Sequence, residues 1–431
     1  MSTAESAAPT PRHDPYAALR LPEFRRLISA RVCFVVATRI QGLVVSWQIL
    51  HLTNDPLALG LIGLAEAVPS IGVSLYAGHV ADSVRRKNII VAAVAVLLLC
   101  AVALWVLASP VGLPLLAKSS LYTWPLYAVI FVSGIARGFL GPALFSFMPQ
   151  LLPDRERLPN AITWNSTTYQ ASAVLGPAIG GYLVAAIDVA NSYTVASGLL
   201  LIALLQFVSI KGRPLPPIEG QKLGLKESVL SGLRFIFSNQ LVLAALSLDM
   251  FAVLFGGAVA LLPIFAVKIL KVGAEGLGHL EAAPAVGSVL MAVALTYFPL
   301  RHRVGRKLLW AVAGFGLATV LFALSTNFYL SLFLLFMTGV FDSVSVIVRS
   351  TLIHTFTPEY MKGRVSAVNN IFIGSSNELG AFESGAMARL LGTVPSVVFG
   401  GVMTMVVVGA TALLAPHLRR LHDVKEEVPA G

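Results

Sequence analysis

The chain is a succession of apolar runs, each long enough to cross a lipid bilayer, and this limits its fold more than any motif does. A helix needs about 20 predominantly apolar residues to span the hydrocarbon core. Such runs fall at roughly 27–51, 57–79, 88–108, 123–147, 160–186, 191–211, 236–266, 276–299, 306–326, 328–352, 365–390 and 394–416. They are too long and too continuously apolar for the strands of a barrel, and a bilayer leaves no other way to satisfy the backbone. The expected fold is therefore an all-α integral membrane protein of twelve transmembrane helices. Only 12% of residues are charged, against about 25% in a soluble domain.

The formal charge is +10, but Lys and Arg sit in short clusters between the apolar runs, which fits membrane topology better than a nucleic-acid partner. With the N-terminus inside, the inner segments hold Arg25, Arg26, Arg85, Arg86, Lys87, Arg155 and Arg157. They also hold Lys211, Arg213, Lys222, Lys226, Arg234, Arg301, Arg303, Arg306, Lys307, Lys362, Arg364, Arg419 and Arg420. The outer segments hold only Lys118, Lys268, Lys271 and Arg389. This bias orients the chain with both termini cytoplasmic in a cell inner membrane. Cys33 and Cys100 both fall in predicted spans, so neither a disulfide framework nor a metal-ligand cluster is expected.

The longest polar interruption contains Pro214, Pro216 and Pro217, followed by an amphipathic stretch from Leu223 to Phe235. It divides the chain into a cytoplasmic segment 1–26, a six-helix half 27–211, a cytoplasmic linker 212–235, a second six-helix half 236–416 and a tail 417–431. A shift of 205 places Gly134 on Gly339, Arg137 on Asp342, Pro153 on Pro358 and Asp154 on Glu359. Two pseudo-symmetric bundles follow, as in many duplicated transporters.

Between the second and third runs stands Gly78-His79-Val80-Ala81-Asp82-Ser83-Val84-Arg85-Arg86-Lys87. This resembles the signature loop of the major facilitator superfamily. There Gly78 allows close helix approach, and Asp82 either caps the third helix or pairs with an arginine such as Arg86 to latch the inner side. Arg85 stands where that family commonly has glycine. The second half keeps Gly305-Arg306-Lys307 but has His302 in the place of the acid, so the latch is expected to be asymmetric. Gly176-Pro177-Ala178-Ile179-Gly180-Gly181 resembles the family's exporter and antiporter motif. Its small residues suit close helix packing, and Pro177 favours a kink. With Phe24-Arg25, Leu262-Pro263-Ile264-Phe265 and Pro358-Glu359, the set resembles the branch that holds enterobactin exporters and macrolide-efflux proteins.

Ionisable groups at mid-bilayer are costly, by about 2.5–3.5 kcal/mol on insertion scales, and usually face a cavity or a partner. Arg39, Glu66, Arg137, Asp249, Asp342 and Glu378 each lie near the middle of a span; Glu281 lies nearer an outer end. Arg349 lies near an inner end, from which it can snorkel to water. Arg137 occupies a fourth-span position where the resemblance implies a role in proton coupling; a static pair with Glu66 or Asp342 is equally open. A proton-driven exporter needs a carboxylate that is charged in one state and neutral in the other. Asp249, which has no local partner on its own helix, Glu66 and Glu378 are the candidates in that order. Gln41 and Gln48 share one face of the first helix and Arg39 and Ser46 another, which suits a cavity-lining element with Trp47 as a stacking surface.

The reading is a secondary active transporter that exports small amphipathic compounds, such as siderophores or drugs, in exchange for protons by alternating access. It needs no cofactor, and a monomer suffices. The alternatives are an importer or symporter of the same fold and a non-transporting membrane receptor. No nucleophile–base set, phosphate loop or dinucleotide fingerprint points to an enzyme or an ATP-driven pump.

Overall fold

The structure is a computed structural model that describes residues 14–112, 123–212, 225–298, 300, 302–358 and 361–421. The N-terminal residues 1–13, the proline-rich part of the linker at 213–224 and the tail from 422 onward lie outside the described residues. So do Lys118, Arg213, Lys222, Arg301 and Glu359.

The first helix boundaries of the chain have local causes. The first helix, α1 (Pro22–Thr53), opens with proline at its first position and ends at Asn54, which adopts a left-handed conformation at φ 54°. Asp55 then caps α2 (Pro56–Ser83), its carboxylate accepting the amide of Leu57 at 3.0 Å, again with proline in the first turn. The Asn-Asp-Pro triplet thus supplies a stop, a cap and a start within three residues. Next come α3 (Arg86–Ala108), α4 (Trp124–Phe147) and the continuous helical segment α5 (Leu158–Ser209). At 52 residues α5 holds two crossings, which part at Asp188. That residue sits at φ 72° and ψ 177°, a region few side chains tolerate, and its carboxylate accepts the amide of Asn191 at 2.9 Å.

The amphipathic stretch forms α6 (Leu225–Ser238), longer at its end than the sequence suggested. Ile236 and Leu233 pack with Val365, Val368 and Met361, so α6 is fastened to the second bundle. Asn239 breaks the chain and caps α7 (Gln240–Phe255), accepting the amides of Leu241 and Val242 at 3.1 Å each. The seventh crossing was expected to be one helix over 236–266 and is not. It stops at Gly256, passes through a 3-10 turn at Ala258–Leu261 and resumes as a short helical and π-helical stretch ending at Ile269. The remaining crossings are α8 (Gly273–Tyr297), α9 (Val304–Leu324), α10 (Phe328–Phe356), α11 (Lys362–Leu391) and α12 (Thr393–Leu414). A short α13 (Pro416–Arg420) closes the described chain.

Among the described residues ten helices are long and apolar enough to cross a membrane; counting both crossings of α5 and adding the less apolar α11 gives a multi-pass, all-α membrane protein of twelve crossings in two bundles. In the first bundle α1 packs on α5, α2 on α4, and α3 on both α4 and α5. In the second, α8 packs on α10, α9 on α10 and α12, and α7 on α11 and α12. Large apolar side chains such as Leu99, Phe145, Trp310 and Leu414 point outward, as a lipid-facing surface requires. α11 is the least apolar crossing. Glu378 and Glu383 are embedded in it, and these charges mark a helix with polar work at mid-depth.

Candidate transport cavity

The two bundles meet along two seams of small residues. On α2 and α11, a side chain added at Gly60 would lie 3.0 Å from the carbonyl of Ala381 and 3.1 Å from Gly385. On α5 and α8, one added at Gly181 would lie 2.5 Å from the carbonyl of Ala274 and 2.8 Å from Gly278. Only glycine permits backbones to come this close. Asp55 and Arg389 extend the first seam with an ion pair at 3.6 Å. All these residues lie toward the Asp55 end of the molecule, so the halves are closed against each other there.

Beneath the seams lies a cavity of about 670 Å³ between the bundles, a size that suits a small organic ligand. From α1 it is lined by Arg39, Gly42 and Ser46, and from α2 by Leu59, Ile62 and Gly63. From the second bundle come Glu281 and Ser288 on α8, Phe315 and Phe322 on α9, Asp342 on α10, and Asn377 and Glu378 on α11. The break in the seventh crossing, Gly256 to Ala260, also lines it. Irregular backbone at membrane depth is tolerated where it borders such a space.

Arg39 and the two glutamines divide the faces of α1. Residues 39, 42 and 46 fall on one side of the helix, and 41 and 48 roughly 180° round it. Arg39 reaches the cavity and donates to the hydroxyl of Tyr169 at 3.1 Å. Gln41 and Gln48, expected to line the cavity, are instead 4% and 6% exposed and packed inside their own bundle. Gln48 accepts the hydroxyl of Tyr193 at 2.9 Å. Trp47 also lies off the cavity, its ring 4.3 Å from that of His51.

The buried charges fall into three groups. Glu66 on α2 and Arg137 on α4 form an ion pair within the first bundle, one of the two partners open for Arg137 in the sequence. Asp249 on α7 pairs with Arg349 on α10, and Ser345 donates to the same carboxylate at 3.5 Å. One expectation is corrected by this pair. Asp249 has no partner on its own helix but finds one across the bundle, and Arg349 does not snorkel, being 4% exposed. The pair stands apart from the cavity lining. The third group is in the cavity. Glu378 carries its carboxylate against Gly63, where an added side chain would meet Oε2 at 3.1 Å. There it interacts electrostatically with Glu66, Arg137 and Arg39 of the other bundle. Glu281, which looked peripheral, lies within reach of Arg39's charge, and Asp342 shares the lining.

The sequence profile of the Major Facilitator Superfamily matches residues 27–381. The chain belongs to the Major Facilitator Superfamily. As a member of it, the chain is a membrane transporter of a small-molecule substrate and not an enzyme. It is 28% identical over 417 residues to the enterobactin exporter EntS of Escherichia coli O1:K1 / APEC, covering 95% of this chain and 96% of that one. The enterobactin exporter EntS of Shigella boydii serotype 18 is similar to the same extent. Among solved structures, a POT family transporter in complex with 5-aminolevulinic acid aligns with a TM-score of 0.71 at 10% identity, over 92% of this chain and 96% of that one. A bacterial homologue of the lysosomal transporter Spinster, inward-facing and unoccupied, aligns with a TM-score of 0.68 at 15% identity, over 92% and 98%. At such identities these neighbours speak to the fold alone.

Two superfamily motifs can now be placed. Gly176 and Gly180 face α1: a side chain at Gly176 would strike Arg39, and one at Gly180 would lie 3.2 Å from Ile40. Gly181, one residue on, faces α8 instead, so the motif joins helices of both bundles. Pro177 belongs to the same crossing, its carbonyl 2.6 Å from where a side chain at Gly278 would begin. In the loop motif, Gly78 and Asp82 fall in the last turns of α2, and their side-chain surroundings lie outside the described residues. Arg86 donates to the carbonyl of Ser146 at the end of α4.

Several cavity residues escaped the sequence reading. Gly42, Ser288 and Asn377, and Tyr169 that holds Arg39, are ordinary residues in apolar runs, and only packing shows where they stand. One signal was present. Glu66-Ala67-Val68-Pro69 and Glu281-Ala282-Ala283-Pro284 repeat the same pattern on α2 and α8. That pattern marks Glu281 as the second-half counterpart of Glu66.

Proposed function

We propose that this transporter is a proton-coupled exporter of small amphipathic compounds, working by alternating access as a monomer in the inner membrane. The observation that carries the reading is the position of Glu378. It belongs to the second bundle, yet its carboxylate stands where the α2–α11 seam meets the cavity, within the field of Glu66, Arg137 and Arg39 of the first. When the bundles rock apart at this seam, Glu378 leaves those charges. A carboxylate's proton affinity depends on nearby charge and on water, so binding and release of a proton at Glu378 are tied to which end is open. The Glu66–Arg137 pair is then the fixed partner and Glu378 the moving one. The Lys and Arg bias supports cytoplasmic termini, and with that orientation the closed seams lie outside and the cavity lies toward the cytoplasm. That is the state in which an exporter collects its cargo. The full-length similarity to enterobactin exporters supports the outward direction.

The test is proton movement in proteoliposomes with a trapped pH dye. Enterobactin and erythromycin are added in turn, and wild type is compared with Glu378→Gln. The expected result is compound-dependent proton flux in the wild type that falls at least ~100-fold in the variant, consistent with the size of a lost proton-transfer group. Flux that survives the substitution would remove Glu378 from the coupling step. No flux with either compound would reject antiport of these cargoes.

A further inference from the structure

The two bundles carry the same crossing with opposite charge logic. In the first, Gly134 of α4 presses on α2 between Glu66 and Pro69: an added side chain there would be 2.6 Å from the Glu66 carbonyl and 2.8 Å from Pro69. Three residues on, Arg137 reaches back and neutralises Glu66. In the second bundle Gly339 of α10 presses on Pro284 of α8, and Ser288 donates to the Gly339 carbonyl at 2.9 Å. Here the residue three positions on is Asp342, and the residue three positions before the proline is Glu281. The arginine of the first bundle is replaced by a second acid.

Neither acid has a hydrogen-bond or ion-pair partner among the described residues, and both line the cavity. α8 and α10 cross the membrane in the same direction, two crossings apart. Asp342 lies three residues beyond the contact point and Glu281 three before it. At 1.5 Å per residue the backbone positions of the two acids are offset by roughly 9 Å along the wall. That spacing lets the pair flank one organic ion. Among the described residues Arg39, whose charge reaches Glu281, is the one basic side chain in the lining, against Glu281, Asp342 and Glu378. Phe315, half-buried in the lining, adds aromatic surface on the same side, which suits a cation.

We infer that the Glu281–Asp342 wall is a binding site for an organic cation, so that among amphipathic cargoes those with a protonated amine or a comparable positive group are preferred over anionic ones. Charge at the wall selects, and the apolar remainder of the cavity holds the body of the molecule. This rests on the reading of the cavity as the transport site, but its test does not depend on proton coupling.

The test uses two probes of the same shape and opposite charge, tetraphenylphosphonium and tetraphenylborate, with equilibrium binding to the purified full-length protein in detergent. Saturable tetraphenylphosphonium binding is expected, with tetraphenylborate weaker by about tenfold or more, equivalent to at least one screened charge contact. Glu281→Gln and Asp342→Asn should each weaken tetraphenylphosphonium by about tenfold, and Glu281→Asp should restore much of the loss. The wild-type comparison stands even if a variant fails to fold. Equal affinity for both probes, preference for tetraphenylborate, or no saturable tetraphenylphosphonium binding would overturn the inference. If the cation preference holds while proteoliposomes show no proton flux, the coupling proposal fails and this one does not.

Discussion

Replacing Asp249 by Ala is expected to destabilise the protein by about 3–5 kcal/mol, the cost of stranding one member of a buried ion pair. Arg349 is 4% exposed and Asp249 6%, and their helices, α7 and α10, pack Leu248, Val344 and Val348 into one apolar cluster around them. Without the carboxylate the guanidinium has no charge partner there, and its Nε atom already lacks a hydrogen bond. The physical cause is desolvation, so removing both charges is predicted to cost much less than removing one. Asp249→Leu combined with Arg349→Met should recover most of the loss. Thermal unfolding in detergent measures both, and a single variant that unfolds within a degree or two of wild type would show that the pair contributes little. This expectation differs from the sequence reading, which put Asp249 first among coupling candidates. A charge pair closed within one bundle and away from the cavity does not change its surroundings when the bundles rock, so it suits a structural role.

Gly181→Leu is expected to cut transport about tenfold or more while leaving a folded protein. The added side chain has to enter a space where even its first carbon would stand 2.5 Å from the Ala274 carbonyl. Backbone cannot yield as a flexible side chain can, and overpacking of this kind costs about 1–3 kcal/mol. Gly181 lies at the boundary between bundles, and that cost is avoided by parting α5 from α8. The substitution therefore penalises the state closed at the Asp55 end and leaves each bundle intact. A penalty of that size shifts a two-state equilibrium roughly 5- to 150-fold. Transport should fall by about tenfold or more, and the thermal transition should stay close to that of wild type. A variant that transports normally would mean that the seam does not close during the cycle. One that fails to fold would mean that the seam belongs to the core of the protein and not to a gate.

Long apolar runs, the linker and the positions of turns were legible because each depends on local chemistry. Asn54-Asp55-Pro56 ends one helix and caps the next by itself, and no distant contact alters that. The glycine motif was also legible as a packing element. Its division of labour was not, since Gly180 and Gly181 differ only in which neighbouring helix they meet. Side-chain partners were the least legible. Glu66 and Arg137 are 71 residues apart and Asp249 and Arg349 a hundred apart, and each pair exists only because two crossings lie side by side. Gln41 and Gln48 illustrate the same limit. Periodicity showed that they share a face, but only the position of α5, which carries Tyr193, showed that this face turns inward to its own bundle. The break in the seventh crossing had a signal in Gly256-Gly257. Two adjacent glycines weaken a helix, and here the exposed backbone is turned to the cavity.

Whether the cavity opens to one side at a time can be measured without knowing the cargo. Gly42 lines the cavity, and a side chain added there meets nothing within 4 Å. A Gly42→Cys substitution therefore places a thiol in the cavity at little structural cost, in a background where Cys33 and Cys100 are replaced by Ala. A membrane-impermeant maleimide is then applied to right-side-out and to inverted membrane vesicles. Rapid labelling from the cytoplasmic face and slow labelling from the outer face are expected. Equal rapid labelling from both faces would describe a pore, and preferential labelling from the outer face would place the seams at the wrong end; either result contradicts this expectation.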